Sequence, residues 1–428
     1  MSPTQIAARC TTAANGEIPM RVVVVGAGLS GLVAASRRRD SGDDVVVLEA
    51  RDRVGGRLWS VHGQLAADQF GELGAETMYA GHEHVLGLTR ELELDAVACG
   101  YFDPSAPPML FGSRRLNEPE RRAITGWLTT AYTNSPPEPF ENLEAWSSRV
   151  HAPRDVRSFL VSFAQYTPVT SLRHADAAEF ARQLSHGSDS YRIVGGNDLL
   201  AKRLAERLDI RLGQRVRLID WSGPGVRVET DHNVLQADAV VVAVPGPLTI
   251  GIGFWPALPA EKVIALSELT YGTAAKVIVQ YAERDAVSAA VGHGCFTDGT
   301  PPWIVEQSAH QSGDAASVSS LLGGDAEPAV IDESVFAAFD ASVTALTGTA
   351  VTRTGQLSHS WTRDELARVV VRAPLGDQRT RVLPHVQRPL GGRVFFAGEH
   401  TDDRVGPGGL EGATRSGLRV ATELASAH

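Results

Sequence analysis

Cysteine is scarce: Cys10, Cys99 and Cys295 stand far apart in 428 residues. An odd number at such spacing supplies neither a disulfide framework nor a zinc ligand set, and it fits a reducing compartment. Long apolar runs are missing as well. The longest, such as Ala239 to Val244, have strand length and fall well short of the roughly 18 apolar residues of a membrane span. Met1 to Met20 is polar and lacks the apolar core of a signal peptide, and the chain ends at Ala425-Ser426-Ala427-His428 without a hydrophobic tail. A cytoplasmic protein without membrane association is expected. Positive charge is in short supply: 40 Lys and Arg face 50 Asp and Glu, for a net charge of −10. Such a surface repels phosphate backbones, so no nucleic acid partner is expected. The runs Arg37-Arg38-Arg39 and Arg121-Arg122 read as solvated helix faces. His82-Glu83-His84 lacks further ligands, so no metal is expected.

What is present is an ordinary globular balance, 43% hydrophobic and 21% charged, long enough for about two or three domain-sized units. Residues 1–19 read as a flexible leader. At Arg21 the pattern changes. Val22-Val23-Val24-Val25 is a continuous β-branched run, as in a strand covered on both faces of a parallel sheet. Gly26-Ala27-Gly28-Leu29-Ser30-Gly31 follows, a helical stretch opens at Leu32, and a second strand, Val45 to Leu48, ends at Glu49. In Gly26-x-Gly28-x-x-Gly31 the first glycine permits a tight turn. The second lets backbone approach a pyrophosphate, and the third lets helix and strand pack closely. The helix N-terminus around Leu29 and Ser30 then offers N–H groups to phosphates. Glu49, followed by Ala50, stands where a carboxylate accepts ribose hydroxyls. A dinucleotide site is predicted here.

The middle, about residues 95 to 190, is rich in Pro, Trp and helical segments. A glycine-marked helix start recurs at Gly195-Gly196-Asn197. The end of the chain returns to the first style, with a strand at Val394 to Ala397, a glycine-rich loop and a final helix from about Leu410. The fold class that follows is an α/β, Rossmann-like nucleotide-binding domain in discontinuous segments, plus an α+β substrate domain. Residues 20–92, 190–254 and 386–428 form the first, and 93–189 and 255–385 the second.

The string Glu49-Ala50-Arg51-Asp52-Arg53-Val54-Gly55-Gly56-Arg57 resembles the extended FAD signature of the flavin monoamine oxidase family. The resemblance spans most of the chain. It takes in Phe70-Gly71-Glu72-Leu73-Gly74-Ala75-Glu76, Arg215 to Ile219, Asp238 to Pro245, Val394 to Glu399, and Leu410-Glu411-Gly412-Ala413. It implies an amine-oxidase-like fold and FAD as cofactor. Arg57, after the Gly55-Gly56 pair, reaches the pyrophosphate, and Arg51 lies near the ribose. Gly74, Ala75 and Glu76 pass the isoalloxazine, Val216 contacts adenine, and Gly398, Glu399, Gly409 and Leu410 belong to the C-terminal FAD motif.

The chemistry is legible in part from the residues alone. A helix beginning near Gly409 and Leu410 aims N–H groups at the negative charge a flavin gains on reduction. Gly406, Gly408 and Gly409 permit close approach of backbone. Lys276 interrupts an otherwise apolar strand, Thr273 to Val279, where an ammonium is costly unless paired or facing a polar cavity. In the family a lysine here holds a water near flavin N5. Glu76, desolvated against the ring, is expected to have a raised pKa and to act as general base; a structural hydrogen-bonding role is the other reading.

Two departures from the family stand out. Gly409 and Val369 occupy the positions of its aromatic cage, so the pocket is expected to be roomier, with Arg368 and Arg372 near polar or acidic substrate groups. Residues 364–374 contain no cysteine, so FAD is expected to be non-covalent. The leading reading is an oxidase taking hydride from a carbon next to nitrogen, with O2 as acceptor and a bulky amine or amide as substrate. Amide oxidation coupled to cyclisation, a C–C desaturase of the phytoene desaturase type, and a non-catalytic protein of the GDP-dissociation-inhibitor type stay open, as does the oligomeric state, a homodimer included.

Overall fold

The computed structural model describes residues 19–100, 104–185, 189–373, 376–403 and 408–427. The leader up to Ile18, with Cys10, and Gly406 of the C-terminal loop lie outside them.

Five parallel strands form one sheet, in the order Asp209–Arg211, Asp44–Leu48, Arg21–Val25, Ala239–Val242, Val394–Phe396. Alternation along the first strand explains its composition. Val22 and Val24 enter a core with Leu32, Val33, Leu410 and Val420, from the helices Leu29–Asp40 and Gly409–Ala427. Val23 and Val25 enter a second core with Val216, Ile219 and Val228, from the antiparallel strands Val216–Asp220 and Val226–Thr230. Both faces are covered, so apolar residues stand at every position instead of every second one. Each buried valine contributes about 1.5–3 kcal/mol relative to exposure.

A mixed seven-stranded sheet runs Arg353–Ser360, Ala274–Tyr281, Ala316–Gly323, Trp303–Glu306, Cys295–Thr297, Met109–Phe111, Arg114–Arg115. Every residue of Ala274–Tyr281 is buried. The period of two divides them. Val277, Val279 and Tyr281 pack on Phe336, Phe339 and Val343 of the helix Glu333–Thr347. Lys276, Ile278 and Gln280 face the other way, toward residues 61–76: Ile278 packs with Val61, Leu65 and Leu73, and Gln280 donates to Ala66. A three-stranded sheet, Met78–Tyr79, Ser190–Ile193, Ala96–Gly100, stands beside it. Helices Glu118–Asn134, Leu143–Arg149, Arg154–Tyr166 and Ala177–Ser185 fill the proline- and tryptophan-rich middle. The first of these opens on a capping box between Asn117 and Glu120. Among the described residues no helix is long and apolar enough to cross a membrane.

The arginine run is not uniformly solvated. Arg38 is buried and donates to the Asp43 carboxylate at 2.7 Å, while Asp43 also accepts the Met20 N–H. The helix turns one of three consecutive arginines inward, and its charge is met by a carboxylate just past the helix end.

Gly31 has no room for a side chain: a Cβ would stand 2.1 Å from the Gly26 carbonyl oxygen. Gly31→Ala is expected to cost about 3 kcal/mol or more, read as a lowered urea midpoint. An unchanged midpoint would contradict the packing described.

Candidate active site

The tips of the parallel strands carry the residues expected to bind a dinucleotide. The Gly26 N–H donates to Leu48 at 2.8 Å, and the Gly55 N–H donates to Ala27 at 2.8 Å, so the Gly55-Gly56 turn stacks on the Gly28 turn. Gly28 precedes the helix Leu29–Asp40 and supplies no side-chain cap, which leaves the N–H groups of the first turn, at Leu29, Ser30 and Gly31, for a ligand. A Cβ on Gly28 would meet nothing within 4 Å. The space in front of it is the room a pyrophosphate needs.

Glu49 accepts the backbone N–H groups of Ala27 at 2.7 Å and Arg51 at 2.8 Å. Both oxygens keep a further lone pair for a hydroxyl. Ala50 follows it at the strand tip. The Arg51 guanidinium pairs with Asp364 at 2.7 Å, and Asp364 also meets His359 at 2.9 Å. Burial works against ionising Asp364, but the His359 and Arg51 hydrogen bonds outweigh it and hold the carboxyl well below its usual range. Arg57 donates to the Val370 carbonyl at 2.5 Å and to Glu399 at 2.9 Å. Glu399 also accepts the Arg372 N–H at 3.1 Å, and the Gly398 N–H donates to Ser416 at 3.0 Å. The N-terminal arginine and the C-terminal motif, 342 residues apart, are thereby one unit. Val216 is buried in the core beneath the strands.

The final helix begins at Gly409, whose φ of +48° suits glycine, with Leu410 buried behind it. Glu411 anchors this end by accepting the N–H groups of His84 and Val85 and pairing with the His84 ring at 2.7 Å. The His82-Glu83-His84 cluster therefore serves, through His84, to lock two helices together.

Around Lys276 the side chains form a chain of charges. The Lys276 ammonium pairs with Glu76 and donates to the Ser319 hydroxyl at 2.8 Å. The other oxygen of Glu76 pairs with Arg192, which also donates to the carbonyls of Glu306 and Gln307. Side-chain exposure is 5% for Lys276, 13% for Glu76 and 12% for Arg192. Burial pushes Lys276 below the usual lysine range, with Glu76 pushing back. For Glu76 the expected rise does not occur: burial raises its carboxyl, but Lys276 and Arg192 overrule it and bring it to about 2. At neutral pH Glu76 is a fixed anion between two cations, a poor proton acceptor rather than a tuned base.

Asn197 holds the backbone of this loop, donating to the Ala75 and Glu76 carbonyls at 2.8 Å each, and its N–H donates to Glu72 at 2.8 Å. Glu72 also accepts from Ser60 at 2.8 Å, yet burial pushes its carboxyl up to about 7. Gly74 lies against the Arg57 carbonyl, 2.0 Å from where its Cβ would stand. Arg192, Asn197, Ser319, Glu72 and Asp364 escaped the sequence reading. Arg192 carried the same signal as Lys276, a cation beside apolar residues in a strand. Asn197 was marked only as a helix start.

The residues fit FAD. The chain offers two helix N-termini, a glycine-lined turn with open space before it, and buried nitrogen atoms without protein partners on Arg53, Arg192 and His400. The expectation for Arg372 is corrected: it is fully buried, its charge beside Glu399 and Asp402, and it presents no surface to a substrate. Val369 is buried too, whereas Arg368 is exposed.

Glu72 makes stability pH-dependent. Its folded-state value, about 7, lies above the usual ~4.3, so the folded state binds the extra proton. That contribution is complete below about pH 4 and is lost as pH rises through about 7. Glu72→Gln is expected to match the parent's melting temperature near pH 4 and exceed it at pH 8. Equal melting temperatures at both pH values would contradict the assignment.

Residues 29–425 match the family described as flavin containing amine oxidoreductase. The chain is similar to a putative flavin-containing monoamine oxidase of Mycobacterium tuberculosis, 27% identical over 454 residues, covering 95% of this chain and 96% of the relative. It is also similar to an L-amino-acid oxidase of Mus musculus, 26% identical over 452 residues, covering 95% and 71%. In fold it is similar to putrescine oxidase bound to putrescine, with a TM-score of 0.80 at 21% identity over 96% of this chain and 99% of that one. Cyclohexylamine oxidase from Brevibacterium oxydans gives 0.82 at 20% identity over 95% and 99%. The chain belongs to the flavin-containing amine oxidoreductase family, FAD enzymes that act on the C–N bonds of amines.

Proposed function

We propose that this enzyme is an oxidase that takes hydride from the carbon next to nitrogen in a bulky amine, with FAD bound non-covalently and O2 as electron acceptor. The observation that carries the reading is Lys276: a buried ammonium on the face of its strand turned toward the Gly74-Ala75-Glu76 loop. FAD, when bound, supplies the two-electron, hydride-accepting chemistry. The chain supplies the surroundings. The first turn of the helix Leu29–Asp40 and Arg57 bind phosphate, Arg57 as a charge-assisted donor. The N-terminus of the helix Gly409–Ala427 favours negative charge in front of it. Lys276 holds a water by its ammonium. Lys276, Glu76 and Arg192 together carry one net positive charge, which disfavours a protonated amine and favours the neutral form that can lose hydride.

A roomy pocket is supported by Gly409, where a Cβ would meet nothing within 4 Å, at the position where the family resemblance implies an aromatic ring. Non-covalent FAD is supported by the two described cysteines. Burial pushes both thiols up, Cys295 to about 12, which makes them poor nucleophiles.

Acid precipitation is expected to release all flavin colour into the supernatant; colour kept by the pellet would refute non-covalent binding. Lys276→Met is expected to retain FAD while amine-dependent oxygen consumption falls about a hundredfold or more. Turnover at the parent rate would remove Lys276 from the mechanism.

A further inference from the structure

Lys276 reaches Glu76 across two separate elements, and Glu76 is gripped on its far side by Arg192. The arrangement is unusual in its geometry rather than its composition. A lysine needed only as a polar anchor has Ser319 at 2.8 Å. A carboxylate needed only to hold its own loop has Asn197 doing that work through backbone carbonyls. Glu76 does neither, and it spends both oxygens on cations, one for each.

We propose that Glu76 is a positioning residue that keeps Lys276 charged and fixes its ammonium at one place beside the flavin's reactive edge, and that Arg192 is a positioning residue that holds Glu76 there. This deepens the oxidase reading and rests on its placement of FAD against Lys276. The physical argument is one of opposing fields. Burial alone drives an ammonium toward its neutral form. An adjacent carboxylate reverses that only if it is itself ionised, and a buried carboxylate beside a single lysine can settle as a neutral pair. Arg192 holds the other oxygen of that carboxylate and so fixes Glu76 opposite the ammonium. Arg192 also repels Lys276 directly, so the two residues act on the ammonium with opposite sign.

The other groups facing this chain do not substitute for it. Glu72, on the same loop, is raised toward neutrality by burial. His359, the cross-strand neighbour of Lys276, is engaged by Asp364. The Tyr79 and Tyr166 phenols and the Cys99 thiol, which border Glu76 and Arg192, are all pushed up by burial and stay neutral.

The test is a titration of the holoenzyme's visible flavin spectrum toward alkaline pH in the parent, Glu76→Gln, Arg192→Gln and Lys276→Met. The parent is expected to show an inflection that Lys276→Met abolishes. Glu76→Gln is expected to move it down by about one pH unit or more, Arg192→Gln to move it up, and Glu76→Asp to restore it. General structural damage would not shift one inflection in opposite directions. An inflection unmoved in Glu76→Gln, or moved the same way in both variants, overturns the proposal. An inflection shared by the parent and Lys276→Met would instead count against the placement of FAD. Holoenzyme melting then decides the pairing independently: Glu76→Gln combined with Lys276→Met should melt higher than Glu76→Gln alone, and a lower or equal value overturns it.

Discussion

The site depends on one carboxylate held between two cations. Glu76 belongs to the loop after Gly71–Gly74, Arg192 to the strand Ser190–Ile193, and Lys276 to the strand Ala274–Tyr281. Three distant stretches of chain meet at that one side chain. A unit pair 4 Å apart is worth about 4 kcal/mol at an effective dielectric of 20. Breaking a buried pair from one side costs about 3–5 kcal/mol, because the remaining charge stays buried. The carboxylate therefore ties the three-stranded sheet, through Arg192, to the seven-stranded sheet, through Lys276. Its lowered pKa follows from the same contacts, and so does its unsuitability as a base.

A second ion pair closes the cofactor end. Arg57, just after the Gly55-Gly56 turn, meets Glu399, just after the strand Val394–Phe396. That pair brings the string near residue 50 and the motif near residue 400 together in space. Glu411 adds a further clasp at His84 and Val85. Each clasp joins a segment that begins the parallel sheet to the segment that ends it, so the site is complete only when the chain's last strand and helix have docked.

Much of this was legible in the sequence because it is local. The Val22 to Val25 run, the Gly26-Gly28-Gly31 spacing and the lone lysine in Ala274 to Val279 each announce an element or a cost within a few residues. What was hidden depends on partners far along the chain. Whether burial raises or lowers Glu76 is decided by Lys276, 200 residues away, and Arg192, 116 away. Arg372 reads as a substrate contact until the fold buries it beside Glu399. Arg38 is indistinguishable from Arg37 and Arg39 in sequence, yet it alone turns to Asp43. Arg192 was readable by the argument applied to Lys276, but its strand, Ser190–Ile193, is four residues long, so the apolar context was too short to mark the cost.

The central claim is that the charged Lys276 region and the glycine-lined cofactor region form one amine-oxidising site. The most direct measurement is an anaerobic titration of the purified, FAD-bound protein with bulky primary and secondary amines. The visible flavin bands should bleach on amine addition and return on admitting air. Bands that persist across the amine series, in protein that holds its FAD, would contradict the claim.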